Sequence, residues 1–258
     1  MSLFVDPPLW PAHGRLWSHL ISDSSVDELH EFARRVGVPE RSFEGDHYDL
    51  PQERYEEVVA AGAVPVGGTE LARLLRDSGM RFRKRRGEHP LARVANGLST
   101  ATKAPHTLDV VASTIERPEA GAAVVLVLAR TQMAMVRNAS RPGWAPPGGK
   151  RDAGESVRET AVREVAEETG LLLDPRSLSP VGYERITIPE GPDPRPFTTG
   201  VNHLQVFATV VEVAGTLPTL RPDLDDVLEA GWFSREEAEH LSGRAPWWPI
   251  VQWWWETS

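Results

Sequence analysis

The chain has 258 residues, is 40% hydrophobic and 25% charged, and carries a formal net charge of -9 with no cysteine. That length can bury one large core or two modest ones, and the lack of thiols excludes a disulfide framework or a thiolate metal site. The acidic balance argues against general nucleic-acid binding, which draws its affinity from Lys and Arg on phosphates. The opening MSLFVDPPLW has no basic start followed by an apolar core, and the longest apolar run, 122–129, is too short to cross a bilayer. A cytoplasmic protein without a membrane partner is expected.

In chain order, residues 2–5 predict a strand, and Ser25 with Glu28 predicts a capping box. The helix that follows gathers Leu29, Phe32, Ala33 and Val36 on one face and ends at Gly37. A second helix is expected after Pro51, and a third near 69–78 places Leu71, Leu74 and Leu75 together before Gly79. Residues 1–86 therefore predict a small α/β domain. The run from 81 is basic at first and poor in large apolar residues, and 87–109 is expected to be a solvated linker.

The second half, 110–258, predicts a mixed sheet. Residues 122–130 and 132–138 suggest two strands joined by a tight turn, and 179–188 and 201–213 are rich in β-branched and aromatic residues. Ser234 with Glu237 opens a short helix.

Between these strands lies GGKRDAGESVRETAVREVAEETGL, residues 148–171. Ser156 and Glu159 form a further capping box, and Gly170 is placed to end a helix running from about Val157 to Thr169. At helical spacing Glu164, Glu167 and Glu168 share an arc of roughly 100°. Ala161, Val162 and Val165 form an apolar side. Carboxylates so close repel unless a cation lies among them. Arg163 can pair with Glu159 or Glu167, but one Arg does not balance the group, whereas a hard divalent cation such as Mg²⁺ would. The plainer reading is a solvent-facing charged helix. Gly148, Gly149 and Gly154 favour the first, because they permit a sharp loop that lays a backbone carbonyl beside the carboxylates.

Residues 149–171 resemble the signature box of the Nudix hydrolases, with every defined position filled: Gly149, Glu155, Arg163, Glu164, Val165, Glu167, Glu168, Gly170 and Leu171. GWAPPGGK, 143–150, is similar to that family's approach to the box. The resemblance, over roughly 110–245, implies an α/β/α sandwich around a mixed sheet. It also implies Mg²⁺ or Mn²⁺ held by Glu164, Glu167, Glu168 and the Gly149 carbonyl, with Arg163 orienting Glu164 and Glu155 supporting the junction of loop and helix. The implied activity is hydrolysis of a nucleoside diphosphate linked to another moiety, with Glu164 as base or base-side ligand, and Arg163 and Glu168 completing the catalytic group. A sensor that binds a nucleotide without turnover, regulating the N-terminal domain or a partner, is the alternative. GGKRD is similar to the coenzyme A diphosphatase subgroup, but that subgroup's longer upstream motif is missing from MAMVRNASRPGW.

Family members differ in where the base sits, so Asp225, Asp226 and Glu229, ahead of Trp232, are candidates for the base or an extra ligand. Trp144 and Phe197 are candidates to stack on a base and Arg195 to hold a phosphate, the last two in the long connection 189–200. VDPPLWPAHGRLWSHLISD, 5–23, and GDHYDLP, 45–51, resemble a small uncharacterised domain found alone or beside Nudix domains. Its Asp6, His13, His19, Asp23, Asp46, His47 and Asp49 suggest a metal or acid-base site, or simply hydrogen-bonded loop residues. Five of nine tryptophans fall in 245–258, expected to cover the Nudix core, the N-terminal domain or a second copy in a homodimer.

Overall fold

The computed structural model describes residues 2–82, 84–139, 143–191, 193–223 and 226–258. The chain divides into two compact units, Met1–Arg93 and Val94–Ser258.

In the first unit β1 (Leu3–Val5), β2 (Trp10–Ala12), β3 (Arg15–Ser22), β4 (Tyr48–Pro51) and β5 (Val64–Pro65) form one sheet. β1 lies between β3 and the parallel β5, and β3 also pairs β2 and β4. Helices α1 (Val26–Arg35), α2 (Tyr55–Ala60) and α3 (Gly68–Asp77) surround it. Successive strand residues point to opposite faces. Leu20 accordingly packs with Leu29, Phe32 and Ala33 of α1, while Ile21 packs with Leu71 and Leu75 of α3. The predicted capping box of α1 is only half formed. Ser25 Oγ accepts from Glu28 N at 3.1 Å, but the Glu28 carboxylate takes its hydrogen bond from Ser22 Oγ instead of turning back to the cap.

The second unit contains β6 (His89–Ala95, running across the division), β7 (Thr107–Ala112), β8 (Ala122–Ala129), β9 (Gln132–Asn138), β10 (Gly148–Lys150), β11 (Ser179–Ile188), β12 (Gly200–Val210) and β13 (Val227–Ser234). Its helices are α4 (Val157–Thr169), α5 (Arg235–Ser242) and α6 (Trp248–Thr257). The strands lie in the order β13, β9, β8, β12, β11, β7, β6. β8 and β12 run parallel, whereas β13 with β9, β8 with β9, β11 with β12 and β11 with β7 are antiparallel. The sheet is therefore mixed.

Helix α4 covers one face. Val157, Ala161 and Val165 pack with Ala123, Val125 and Val127 of β8 and Phe207 of β12. Helix α6 covers the other face, where a Cβ on Gly182 would meet Ile250 Cδ1 at 2.3 Å. The result is an α/β/α sandwich. The Trp-rich segment is thus a helix, with Trp248, Ile250, Val251 and Trp254 buried. Each such side chain contributes about 1.5–3 kcal/mol relative to exposure.

The expectation of a bare linker over 87–109 is corrected. That stretch contains β6 and the start of β7, joined by a turn in which Asn96 N donates to His106 O at 2.8 Å. Pairing of β6 with β7 and the fully buried Leu108 support the segment, whose few large apolar residues hid the strands.

β9 leaves β8 soon after their hairpin, and β10 takes the vacated edge of β8, with Gly148 opposite Val124 and Gly149 opposite Ala123. This exchange brings the double glycine against α4.

Candidate active site

Helix α4 begins at a complete capping box. Ser156 Oγ accepts from Glu159 N at 3.2 Å, and the Glu159 carboxylate accepts from Ser156 N at 2.7 Å. Glu159 is thereby committed to the cap, so Arg163 finds other partners. Its Nε donates to Glu155 Oε1 at 2.7 Å and its Nη2 to Glu155 Oε2 at 3.1 Å. Its Nη1 donates to Glu164 Oε1 and Glu167 Oε2, both at 2.8 Å, and Nη2 also reaches the Lys150 carbonyl at 2.9 Å. One planar guanidinium therefore ties the loop to two carboxylates of the helix, which suits its fixed fork of donors.

Glu155 also accepts from Asp152 N at 3.1 Å and Thr160 Oγ1 at 2.9 Å. Arg163 above all, with these donors, holds its carboxyl down at about 2. Glu164 is shifted the other way. Burial raises its pKa, and the charges of Glu168 and Glu167 add to that against the opposing pull of Arg163.

The acidic arc is not an ordinary wet face: Glu164 is 9% and Glu168 2% exposed. Glu168 Oε1 accepts from Asn138 Nδ2 at 2.6 Å, and Oε2 accepts from Gly148 N at 2.8 Å. Glu164 lies directly over Gly149, where an added Cβ would come within 2.5 Å of its carboxylate. Only glycine allows that approach. The helix ends at Gly170, with φ 76°, and the returning chain satisfies its last carbonyls: Arg221 N donates to Thr169 O at 2.8 Å and Asp223 N to Glu167 O at 2.7 Å.

The Nudix domain profile matches residues 117–254, more than half of the chain, and contains this whole constellation. The chain belongs to the Nudix family. A second profile, a protein of unknown function (DUF4031), matches residues 3–78. Among relatives, the chain is 46% identical over 50 residues to a Bacillus subtilis protein named "Putative 8-oxo-dGTP diphosphatase", covering 19% of this chain and 34% of that protein. The chain thus spans about a third of that relative's length. Similar solved structures include a mutant of the Bacillus subtilis pyrophosphohydrolase BsRppH, with 20% identity, TM-score 0.37, and coverage of 50% of this chain and 72% of that one. They also include the Nudix domain of Shewanella oneidensis NrtR with ADP-ribose, with 14% identity, TM-score 0.42, and coverage of 55% and 91%.

Within the Nudix unit the remaining candidates separate. Glu155, Arg163, Glu164, Glu167, Glu168, Gly148 and Gly149 converge. Gly154 has φ 91° in the loop, with open space around it. Glu229 lies opposite Arg137 across β13 and β9 and forms an exposed ion pair with it, so its carboxylate is already engaged. Asp226 O accepts from Ala139 N at 2.8 Å, and Asp225 lies outside the described residues. Trp144 packs edge-on against Phe233 with ring centroids 4.7 Å apart, and its carbonyl accepts from Ser242 Oγ, which makes it part of the packing under α5. Arg195 is exposed and its guanidinium is paired with Asp193, with Nε 2.8 Å from Oδ2; nearby Phe197 N closes a turn onto Pro194 O. The seven N-terminal candidates also divide. His19, His47 and Asp49 come together, with Asp6 and Asp46 hydrogen-bonded to the two imidazoles. His13 instead occupies a turn at φ 51°, and Asp23 accepts from Ser2 N and Ser24 Oγ.

Asn138 and Asp223 were absent from the sequence-derived set. Asn138 ends β9, and only the pairing of distant segments carries it to Glu168. The Asn138 Oδ1 atom is buried without a hydrogen-bond partner among the described residues. No helix among the described residues is long and apolar enough to cross a membrane.

Proposed function

We propose that this protein is a metal-dependent hydrolase of a phosphoanhydride, cleaving the diphosphate of a nucleoside diphosphate linked to another moiety. The observation that carries this reading is the buried pair Glu164 and Glu168 flanking the double glycine, with Glu167 and Glu155 tied to them through Arg163. Arg163 alone cannot neutralise four carboxylates, and an oxygen-only donor set suits Mg²⁺ or Mn²⁺. The Asn138 Oδ1 beside Glu168, without a hydrogen-bond partner among the described residues, agrees with a site built to hold one more group.

Glu164, Glu167 and Glu168 would hold the ion, with the Gly149 carbonyl beside them. Such an ion supplies positive charge against the diphosphate oxygens and acidifies a coordinated water. Asn138 and the Gly148 N–H fix the Glu168 carboxylate, so that it meets the ligand in one orientation. Glu155 and Arg163 are positioning residues. We assign Glu164, whose proton affinity is raised by burial and its acidic neighbours, as the base for the attacking water or the ligand beside that base. Attack forms one P–O bond and breaks the anhydride P–O bond, leaving a nucleoside monophosphate and a phosphorylated remainder.

The test is release of monophosphate or phosphate from nucleoside triphosphates, dinucleotides, nucleotide sugars, ADP-ribose and coenzyme A, with Mg²⁺ or Mn²⁺. Glu164→Gln and Glu168→Gln should each lower kcat by at least about 100-fold with an unchanged circular dichroism spectrum. Silence across the panel with nucleotide binding retained would replace the hydrolase by a sensor.

A further inference from the structure

The N-terminal unit holds a second constellation, which the hydrolase reading does not use. Pairing of β3 with β4 places His19 directly opposite Asp49, and His47 immediately precedes β4. One ligand atom from each of His19, His47 and Asp49 lies within 4.8 Å of the other two. His47 Nε2 is 3.3 Å and His19 Nε2 3.9 Å from the same oxygen, Asp49 Oδ1.

The far side of each imidazole is held by a different carboxylate. His19 Nδ1 is 3.1 Å from Asp6 Oδ2, and His47 Nδ1 is 2.5 Å from Asp46 Oδ1. Asp6 and Asp46 are only 1% and 3% exposed. Both are fixed by further donors: His19 N at 2.5 Å and Trp10 Nε1 at 2.8 Å on Asp6, and Phe82 N at 2.5 Å on Asp46. A carboxylate at Nδ1 fixes that nitrogen as the proton-bearing one and turns Nε2 into the cluster. This is the support that metal-bound imidazoles receive. Against the desolvation of its ring, Asp46 and Asp49 hold His47 up at about 9, so an ion at its Nε2 would displace a proton there.

We propose that His19 Nε2, His47 Nε2 and Asp49 Oδ1 form a binding site for a divalent transition-metal ion of the zinc class, separate from the carboxylate site of the Nudix unit. Two imidazole nitrogens and one carboxylate oxygen favour Zn²⁺ over Mg²⁺, which prefers oxygen alone. Tetrahedral bonds of about 2.0–2.1 Å set ligand atoms about 3.4 Å apart, so modest side-chain movement closes the group. Three protein ligands leave a fourth position. His19 and Asp49 line a depression of about 390 Å³ that also contains Trp10, Trp17, Arg41 and Glu44. The cluster therefore borders a space large enough for water or a small ligand, with Arg41 on its wall.

The experiment uses the full chain carrying Glu164→Gln, Glu167→Gln and Glu168→Gln, so that the other carboxylate group does not contribute. Calorimetric titration with Zn²⁺ should show one ion per chain. Adding His19→Ala with His47→Ala, or Asp49→Ala, should abolish it, and Asp6→Asn should weaken it by about 10–100-fold. Co²⁺ on the chain with both histidines intact should give the strong visible absorption of a tetrahedral site with nitrogen ligands. Zn²⁺ uptake unaffected by the histidine changes would overturn the proposal. So would the weak spectrum of an octahedral oxygen-only Co²⁺ site, a result that requires no change at the histidines.

Discussion

Glu184 occupies the middle of β11, flanked by Val110 of β7 and Leu204 of β12, and is 6% exposed. Burial pushes its carboxyl from the usual 4.5 to about 7. The folded chain thus binds this proton more tightly than the unfolded chain does. The associated stability is full below the unfolded value of 4.5, falls as pH rises from there to about 7, and is gone above that. At about 1.36 kcal/mol per pH unit, the loss across the window is roughly 3 kcal/mol. Glu184→Gln keeps the side-chain shape and removes the titration. Urea unfolding of the two chains, followed by tryptophan fluorescence at fixed pH values from 5 to 8.5, isolates the effect because every other titrating group is shared. The variant should gain about 2.5 kcal/mol relative to the parent between the two ends of that range, which begins inside the window. Water reaching the carboxylate would reduce the figure without reversing its sign. A difference between the chains that does not change with pH would refute the reasoning.

Gly149→Ala places a methyl group 2.5 Å from the Glu164 carboxylate and must displace it, by about 1 Å; kcat should fall about 100-fold while the melting curve stays close to the parent's, and unchanged kinetics would count against the geometry. Ile250→Ala removes a side chain that is 1% exposed and packs over Gly182. It should cost about 2–5 kcal/mol in a denaturation experiment, and a change below about 0.5 kcal/mol would show that α6 is not docked on β11.

Much of the site could be read locally. The limits of α4 followed from Ser156, Glu159 and Gly170, because caps and left-handed ends are decided by a few consecutive residues. The grouping of Glu164, Glu167 and Glu168 followed from helical spacing alone. The choice of partner for Arg163 did not. Glu159 and Glu167 were equally spaced candidates, and the cap removed one while the loop delivered Glu155. Gly182 was unremarkable until α6 came to rest on it, and Trp-rich composition did not distinguish a tail from a helix.

The sequence by itself determined the elements whose signals are short-range: the capping boxes of α4 and α5, the N-cap serine of α1, the acidic arc, and the loop with its double glycine. Tertiary structure decided what those elements do to one another. It buried Glu164 and Glu168, carried Asn138 to one of them, and placed His19 across from Asp49 with His47 beside them. The reason is physical. Hydrogen bonding within a turn depends on neighbours in the chain, whereas the dielectric around a carboxylate depends on strands that arrive from residues far away.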